Sequence, residues 1–114
     1  MASRHYFGLV AEYFIIALYR IKFYQILQHR MRNYAGEIDL IALRGKNIVF
    51  IEVKARSTYD NYCDHILQHR QQQRITRAAQ LFLAYNPKYQ HYQSRFDLAI
   101  VMPYKLPIII KNAW

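Results

Sequence analysis

The sequence predicts a mixed α/β fold with element order α-β-β-β-α-β(-β) and a mixed central sheet flanked by helices. Three observations predict it. Residues 36–56 hold two apolar, period-2 runs around the polar turn Arg44-Gly45-Lys46-Asn47, which reads as a β-hairpin. Stretches of helical periodicity, to about Arg20 and over 65–85, bracket it. The second separates the hairpin from an alternating run at 95–102, so it predicts a crossover joining parallel neighbours. With 114 residues and 54% apolar content, one domain over 1–114 with one core is expected.

Ser3 is the expected N-cap of the first helix. Phe7, Val10, Ala11, Phe14, Ala17, Leu18 and Ile21 recur at i, i+3, i+4, i+7 and predict its core stripe. His5, Glu12 and Tyr19 share another stripe. Residues 23–32 read as a strand with a basic end. Residues 56–64 read as a polar exposed loop. In the second helix Ile75, Ala78, Ala79 and Phe82 make the core stripe, and Asn86-Pro87 ends it. Its first half is rich in Arg and Gln. Arg70, Arg74 and Arg77 recur at helical spacing, without acidic partners one turn away. The next strand places Phe96, Leu98, Ile100 and Met102 on one face. Residues 107–111 give a short fifth strand or edge, followed by a tail.

The hairpin register carries the chemistry. A two-residue loop Gly45-Lys46, with Gly supplying positive φ, sets Arg44 opposite Asn47, Leu43 opposite Ile48, Ile41 opposite Phe50, Asp39 opposite Glu52 and Glu37 opposite Lys54. A four-residue loop gives the same pairing; a three-residue loop shifts it by one and separates Asp39 from Glu52. Opposed carboxylates destabilise a sheet unless a proton or cation lies between them. Lys54 projects to the same face as Glu52. Such a group could bind Mg²⁺ or Mn²⁺ through hard oxygen ligands and set it near a phosphate. The ordinary reading of such a pattern is a solvated strand face. Here that face also carries Ile41, Leu43, Ile48 and Phe50, while Ile38, Leu40, Ala42, Val49, Ile51 and Val53 occupy the other. Both faces are expected to be buried.

Lys and Arg number 16 against 7 acids, a formal charge of +9. That excess favours a polyanionic partner, nucleic acid before an anionic membrane surface. Three of the seven acids fall in the hairpin. The single Cys63 excludes an internal disulfide and fits a reducing compartment. The five histidines form no zinc motif, although His65 and His69 are one helical turn apart. No secretory signal or 18-residue uncharged stretch is present, so a cytoplasmic protein without a membrane partner is expected. Some of the eleven tyrosines could stack on bases.

Ala11-Glu12, Gly36-Glu37-Ile38-Asp39-Leu40-Ile41, Phe50-Ile51-Glu52-Val53-Lys54-Ala55-Arg56, the helix around Arg74-Ile75 and Ala78-Ala79, and Arg95-Phe96-Asp97 together resemble the PD-(D/E)XK nuclease superfamily, with its restriction-endonuclease-like α/β core. More narrowly they resemble the small bacterial YraN-like family, itself similar to archaeal Holliday-junction resolvases. The resemblance implies that Asp39 and Glu52 ligate a catalytic Mg²⁺ or Mn²⁺. Lys54 would orient the attacking water or meet charge at the phosphate, and Glu12 would complete the site. Glu37 would serve structure or pair with Lys54. Two positions depart from the pattern. Gln71 stands where the family often has lysine, with Arg70 as a substitute, and Ile38 precedes Asp39 where the superfamily has proline. The expectation is a metal-dependent endonuclease acting on DNA, branched or otherwise structured, in repair or recombination, with Arg30, Arg32, Arg56, Arg70 and Arg74 flanking the cleft. The alternative is a nucleic-acid-binding module without turnover, or a subunit of a DNA-processing complex. A homodimer would suit symmetric cutting, with the Cys63 loop and Ile108–Ile110 as candidate interfaces.

Overall fold

A computed structural model describes residues 2–56 and 67–114, with side chains from residue 7 onward. Helix α1 spans Ala2–Ile21. It begins ahead of Ser3, which therefore lies inside the helix. Strands β1 (Gln25–Asn33), β2 (Gly36–Arg44) and β3 (Asn47–Ala55) follow as an antiparallel meander. Helix α2 (His69–Tyr85) crosses to β4 (Gln93–Val101), which lies parallel to β3; β5 (Ile108–Ile110) pairs antiparallel with β4. The five strands stand in the order β1-β2-β3-β4-β5. Fold class, element order and the parallel crossover are as predicted.

The hairpin has the two-residue loop. Gly45 sits at φ 59°, and Arg44–Asn47, Leu43–Ile48 and Ile41–Phe50 are partners. The residues on its two faces separate into two cores. Ile41, Ile48 and Phe50 pack with Leu98, Ile100 and Met102 under Ile75, Ala78, Ala79 and Phe82 of α2. Leu40, Ala42, Val49 and Ile51 pack against α1. Ile38 departs from the alternation: it joins the α2 side rather than that of Leu40. Regular β2–β3 pairing stops at Leu40–Ile51, so Ile38 is paired with Met31 of β1 but no longer held from the β3 side.

The core stripe of α1 differs from the predicted one. Ala11, Ile15, Ile16 and Tyr19 are buried, whereas Val10, Phe14, Ala17 and Ile21 face outward. The helix is apolar nearly all round, so periodicity alone does not select the buried face. Polar contacts select it. The Tyr19 hydroxyl donates to the fully buried Asp97 at 2.7 Å, and Glu12 meets His29 of β1 at 2.7 Å.

Asp97 is satisfied on every side. Beside Tyr19, Arg95 grips it with two N–H donors at 2.8 and 2.9 Å, and the Asn112 backbone N–H adds a fourth hydrogen bond at 3.3 Å. Burial and the hydrogen bond to Asp97 push the Tyr19 hydroxyl pKa upward. His65 and the Cys63 loop lie outside the described residues. Gln68 is extended just before α2, so the second helix starts at His69 and not at 65. Among the described residues no helix is long and apolar enough to cross a membrane.

Candidate active site

A cavity of about 470 Å³ opens on the α2 side of the sheet, lined by Arg32, Asn33, Gly36, Glu37, Asp39, Glu52, Gln71, Arg74 and Ile75. It exists because β2 begins close beneath α2. A Cβ built on Gly36 would stand 3.4 Å from the Arg74 carbonyl oxygen, so glycine permits the approach. Asn33 fixes the turn before it. Its side-chain oxygen accepts from the Ala35 and Gly36 N–H groups at 3.0 and 3.3 Å, and its amide donates to the Ala78 carbonyl at 3.1 Å. Nothing in the predicted strand pattern marked Asn33 as functional. An Asx-turn residue three positions before a glycine was the available signal.

Asp39 and Glu52 come together as the two-residue loop requires. At the end of the regular pairing, the Val53 N–H donates to Asp39 Oδ2 at 2.8 Å. Glu52 is nearly buried. Burial, then the hydrogen bond and charge of Glu52, push the Asp39 carboxyl up to about 8, against the opposing pull of the Val53 N–H. Lys54 Nζ lies 3.1 Å from Glu52 Oε2, and both side chains are largely shielded from solvent. Two carboxylates and an ammonium thus share one partly buried locus.

Glu12 is placed differently. Its Oε1 is shared by His29 Nε2 at 2.7 Å and Arg30 Nε at 3.0 Å, and it does not line the cavity. It still reaches Asp39 through its field, as the weakest of the influences that raise that carboxyl. His29 was missed at the sequence level, because no spacing relates a helical Glu to a strand His seventeen residues on. Arg30 sits at φ 58°, close to a register shift between Ile26 and Gln28. This left-handed backbone is uncommon for arginine.

The remaining predicted residues divide. Arg32 and Arg74 line the cavity. Arg30 is engaged with Glu12. The Arg56 backbone N–H bonds the Val101 carbonyl, and its guanidinium donates to the Ala55 carbonyl, outside the cavity lining. Arg70 is exposed, and Gln71, not Arg70, faces the cavity. Arg77 borders a second cavity of about 320 Å³ on the other flank of α2, with His69, Gln73 and Trp114. Glu37 lies 3.7 Å from Arg32, its partner across β1–β2, and not against Lys54.

Among the described residues no group of three or more His, Cys, Asp and Glu side chains converges. Two carboxylates do, and they fit a hard divalent cation. Mg²⁺ is commonly held by one or two carboxylates, with waters and substrate phosphates completing its shell. The raised Asp39 carboxyl beside Glu52 is also what a cation would relieve.

A mixed sheet with α-β-β-β-α-β order and an acid–acid–lysine locus on its second and third strands is the arrangement expected of a PD-(D/E)XK nuclease-like protein. Residues 11–101 match the model of the family described as Uncharacterised protein family UPF0102. The chain belongs to this family, the YraN family, within that superfamily. It is 45% identical over 107 residues to a UPF0102 protein of Maricaulis maris, covering 94% of this chain and 84% of that relative. A UPF0102 protein of Rhodopseudomonas palustris (strain BisB5) is 44% identical, over 88% of this chain and 76% of its own length. One from Parvibaculum lavamentivorans is 37% identical, over 94% and 80%.

Proposed function

We propose that this protein is a divalent-metal-dependent endonuclease acting on DNA, with branched or structured DNA as its substrate class in repair or recombination. The observation that carries this reading is the shielded Asp39–Glu52 pair, with Lys54 on Glu52, opening into a cavity rimmed by Arg32 and Arg74. A chain of charge +9 that binds nucleic acid through its arginines has no use for paired acids beside a phosphate unless a cation joins them.

Asp39 and Glu52 hold the cation, and the Val53 N–H fixes the orientation of Asp39. Bound Mg²⁺ or Mn²⁺ supplies Lewis-acid polarisation of the phosphodiester and a lowered pKa for water. Lys54 sets its ammonium where it can orient the attacking water or meet charge on the phosphate. Arg32 and Arg74 receive phosphate oxygens, and the Gln71 amide adds a neutral hydrogen bond where a lysine would add charge. Glu12, held by His29 and Arg30, acts on the site through its field.

The test is cleavage with Mg²⁺ or Mn²⁺ of duplex, single-stranded, flap and four-way-junction DNA, beside Glu52→Ala. Cutting by the wild type that vanishes in the variant supports the enzyme and identifies the preferred shape. No cutting of any substrate, with DNA binding intact in both proteins, overturns it. One observation favours a binding module without turnover: Glu12, expected to complete the site, is engaged by His29 and Arg30 and stands outside the cavity lining. DNA binding indifferent to metal and to Asp39→Ala would select that reading.

A further inference from the structure

Helix α2 carries polar chemistry beyond the flank that faces the Asp39–Glu52 cavity. It contains no acid. Ile75, Ala78, Ala79 and Phe82 are buried in the core beneath it, whereas Arg70, Arg74 and Arg77, each about one turn from the next, are exposed along its outer side. Arg74 lines the Asp39–Glu52 cavity on one flank, and Arg77 borders the second cavity, of about 320 Å³, on the other. The three arginines form a basic track from one cavity to the other.

The second cavity is built round Trp114. The indole stacks on Phe96, with ring centroids 5.1 Å apart, and its Nε1 donates to Thr76 Oγ1 at 3.1 Å. That hydroxyl in turn donates to the Gln72 carbonyl at 2.8 Å. The ring is therefore fixed, and its single donor is used. What it offers the cavity is apolar π-surface. Gln73, Gln80 and His69 line the same space. They supply donors and acceptors together. A phosphate only accepts, whereas base edges carry both kinds of group. The volume lies at the low end for small-ligand sites, which suits a single flat ring system.

We propose that this cavity receives an unpaired nucleobase of a DNA strand that crosses α2. The proposal deepens the nuclease reading, on which its choice of DNA rests. The base lies against Trp114 and meets the amides of Gln73 and Gln80, and Arg77 meets the phosphate beside it. A helix is about 10–12 Å across and the phosphates of one strand advance by ~3.4 Å, so about three nucleotides separate this base from the phosphate at Asp39 and Glu52. Arg70 and Arg74 lie beneath them. In a perfect duplex a base enters such a cavity only after unpairing and unstacking, which costs a few kcal/mol. Gaps and flaps present a base without that cost. The cavity therefore selects structured DNA over perfect duplex.

Trp114 is the only tryptophan of the chain, so its fluorescence reports on this cavity directly. The experiment titrates the full chain, as wild type without added metal and as Glu52→Ala with Mg²⁺, so that the DNA stays whole. The probes are a duplex with a short single-stranded gap, the same duplex with abasic nucleotides in the gap, a perfect duplex and inorganic phosphate. Trp114 emission is read beside the anisotropy of labelled DNA. The gapped duplex quenches Trp114 and binds about fivefold or more tighter than its abasic counterpart; the abasic probe and phosphate leave the emission unchanged. Trp114→Leu, with folding checked by circular dichroism, removes the advantage of the gapped probe. Binding of the gapped duplex without quenching overturns the proposal and leaves DNA binding standing. Equal quenching by the abasic probe or by phosphate does the same. Failure of every DNA probe to bind overturns the proposal and the nuclease reading together. The titration needs no substitution in the cavity, so it decides whether or not Trp114→Leu folds.

Discussion

Asp39 is the residue on which the chemistry turns. Its folded pKa of about 8 stands above the ordinary 3.8, so the folded protein keeps a proton that the unfolded chain releases. The stabilising effect of that proton is complete below about pH 4 and is lost as pH rises towards 8. In metal-free protein, Asp39→Asn should flatten the fall in stability between these limits, read from urea midpoints across a pH series; an unchanged slope would remove the basis for a shared proton. A cation must displace the same proton. Calorimetry of Mg²⁺ or Mn²⁺ binding in buffers of different ionisation enthalpy should show proton release at pH 7. Asp97 is the contrasting acid. It is buried, gripped by Arg95 and capped by Tyr19, and away from the cavity. Asp97→Ala should cost about 3–5 kcal/mol by leaving Arg95 uncompensated, measured as a lower denaturation midpoint.

The site depends on how elements approach one another. Helix α2 packs closely over the start of β2, where a Cβ on residue 36 would just touch the Arg74 carbonyl oxygen at 3.4 Å and a larger side chain would have no room. Gly36→Val should push the Arg74 turn away, destabilise the fold by about 1–3 kcal/mol through overpacking, and lower metal affinity with it. Much of this was legible in the chain. The hairpin was read from Gly45 and a period of two; its register, and with it the convergence of Asp39 with Glu52, hung on the loop length, which the structure shows to be two residues. Two things did not. Ile38 leaves the alternation where its strand is paired with β1 but no longer with β3. The buried face of α1 could not be chosen from a helix apolar on most sides; Tyr19 reaching Asp97, seventy-eight residues away, chose it.

For the whole molecule the governing quantity is the charge of +9. Binding to DNA should weaken steeply with salt. Arg74→Ala should reduce the slope of log affinity against log salt by about one, if its guanidinium meets a single phosphate. Arg77→Ala, beside the second cavity on the other flank of α2, measures whether bound DNA spans both sides of that helix; an unchanged slope confines the footprint to the Asp39–Glu52 side.

Local periodicity, turn chemistry and short motifs were enough to set the order of elements, the parallel crossover and the family, and they gave the carboxylate pair for a two- or four-residue loop. They act between neighbours in the chain or across one tight turn, so the sequence carries them openly. Which acids line the cavity and which stand away from it was settled by packing. Glu12 stands with His29 and Arg30 and Asp97 with Arg95, both outside the lining, whereas Glu37 meets Arg32 on its rim. Most of these partners lie on neighbouring strands or on a helix across the sheet, so their meeting depends on how the elements come together. Packing likewise buried one apolar face of α1 and left the other exposed, a choice that no single helix encodes.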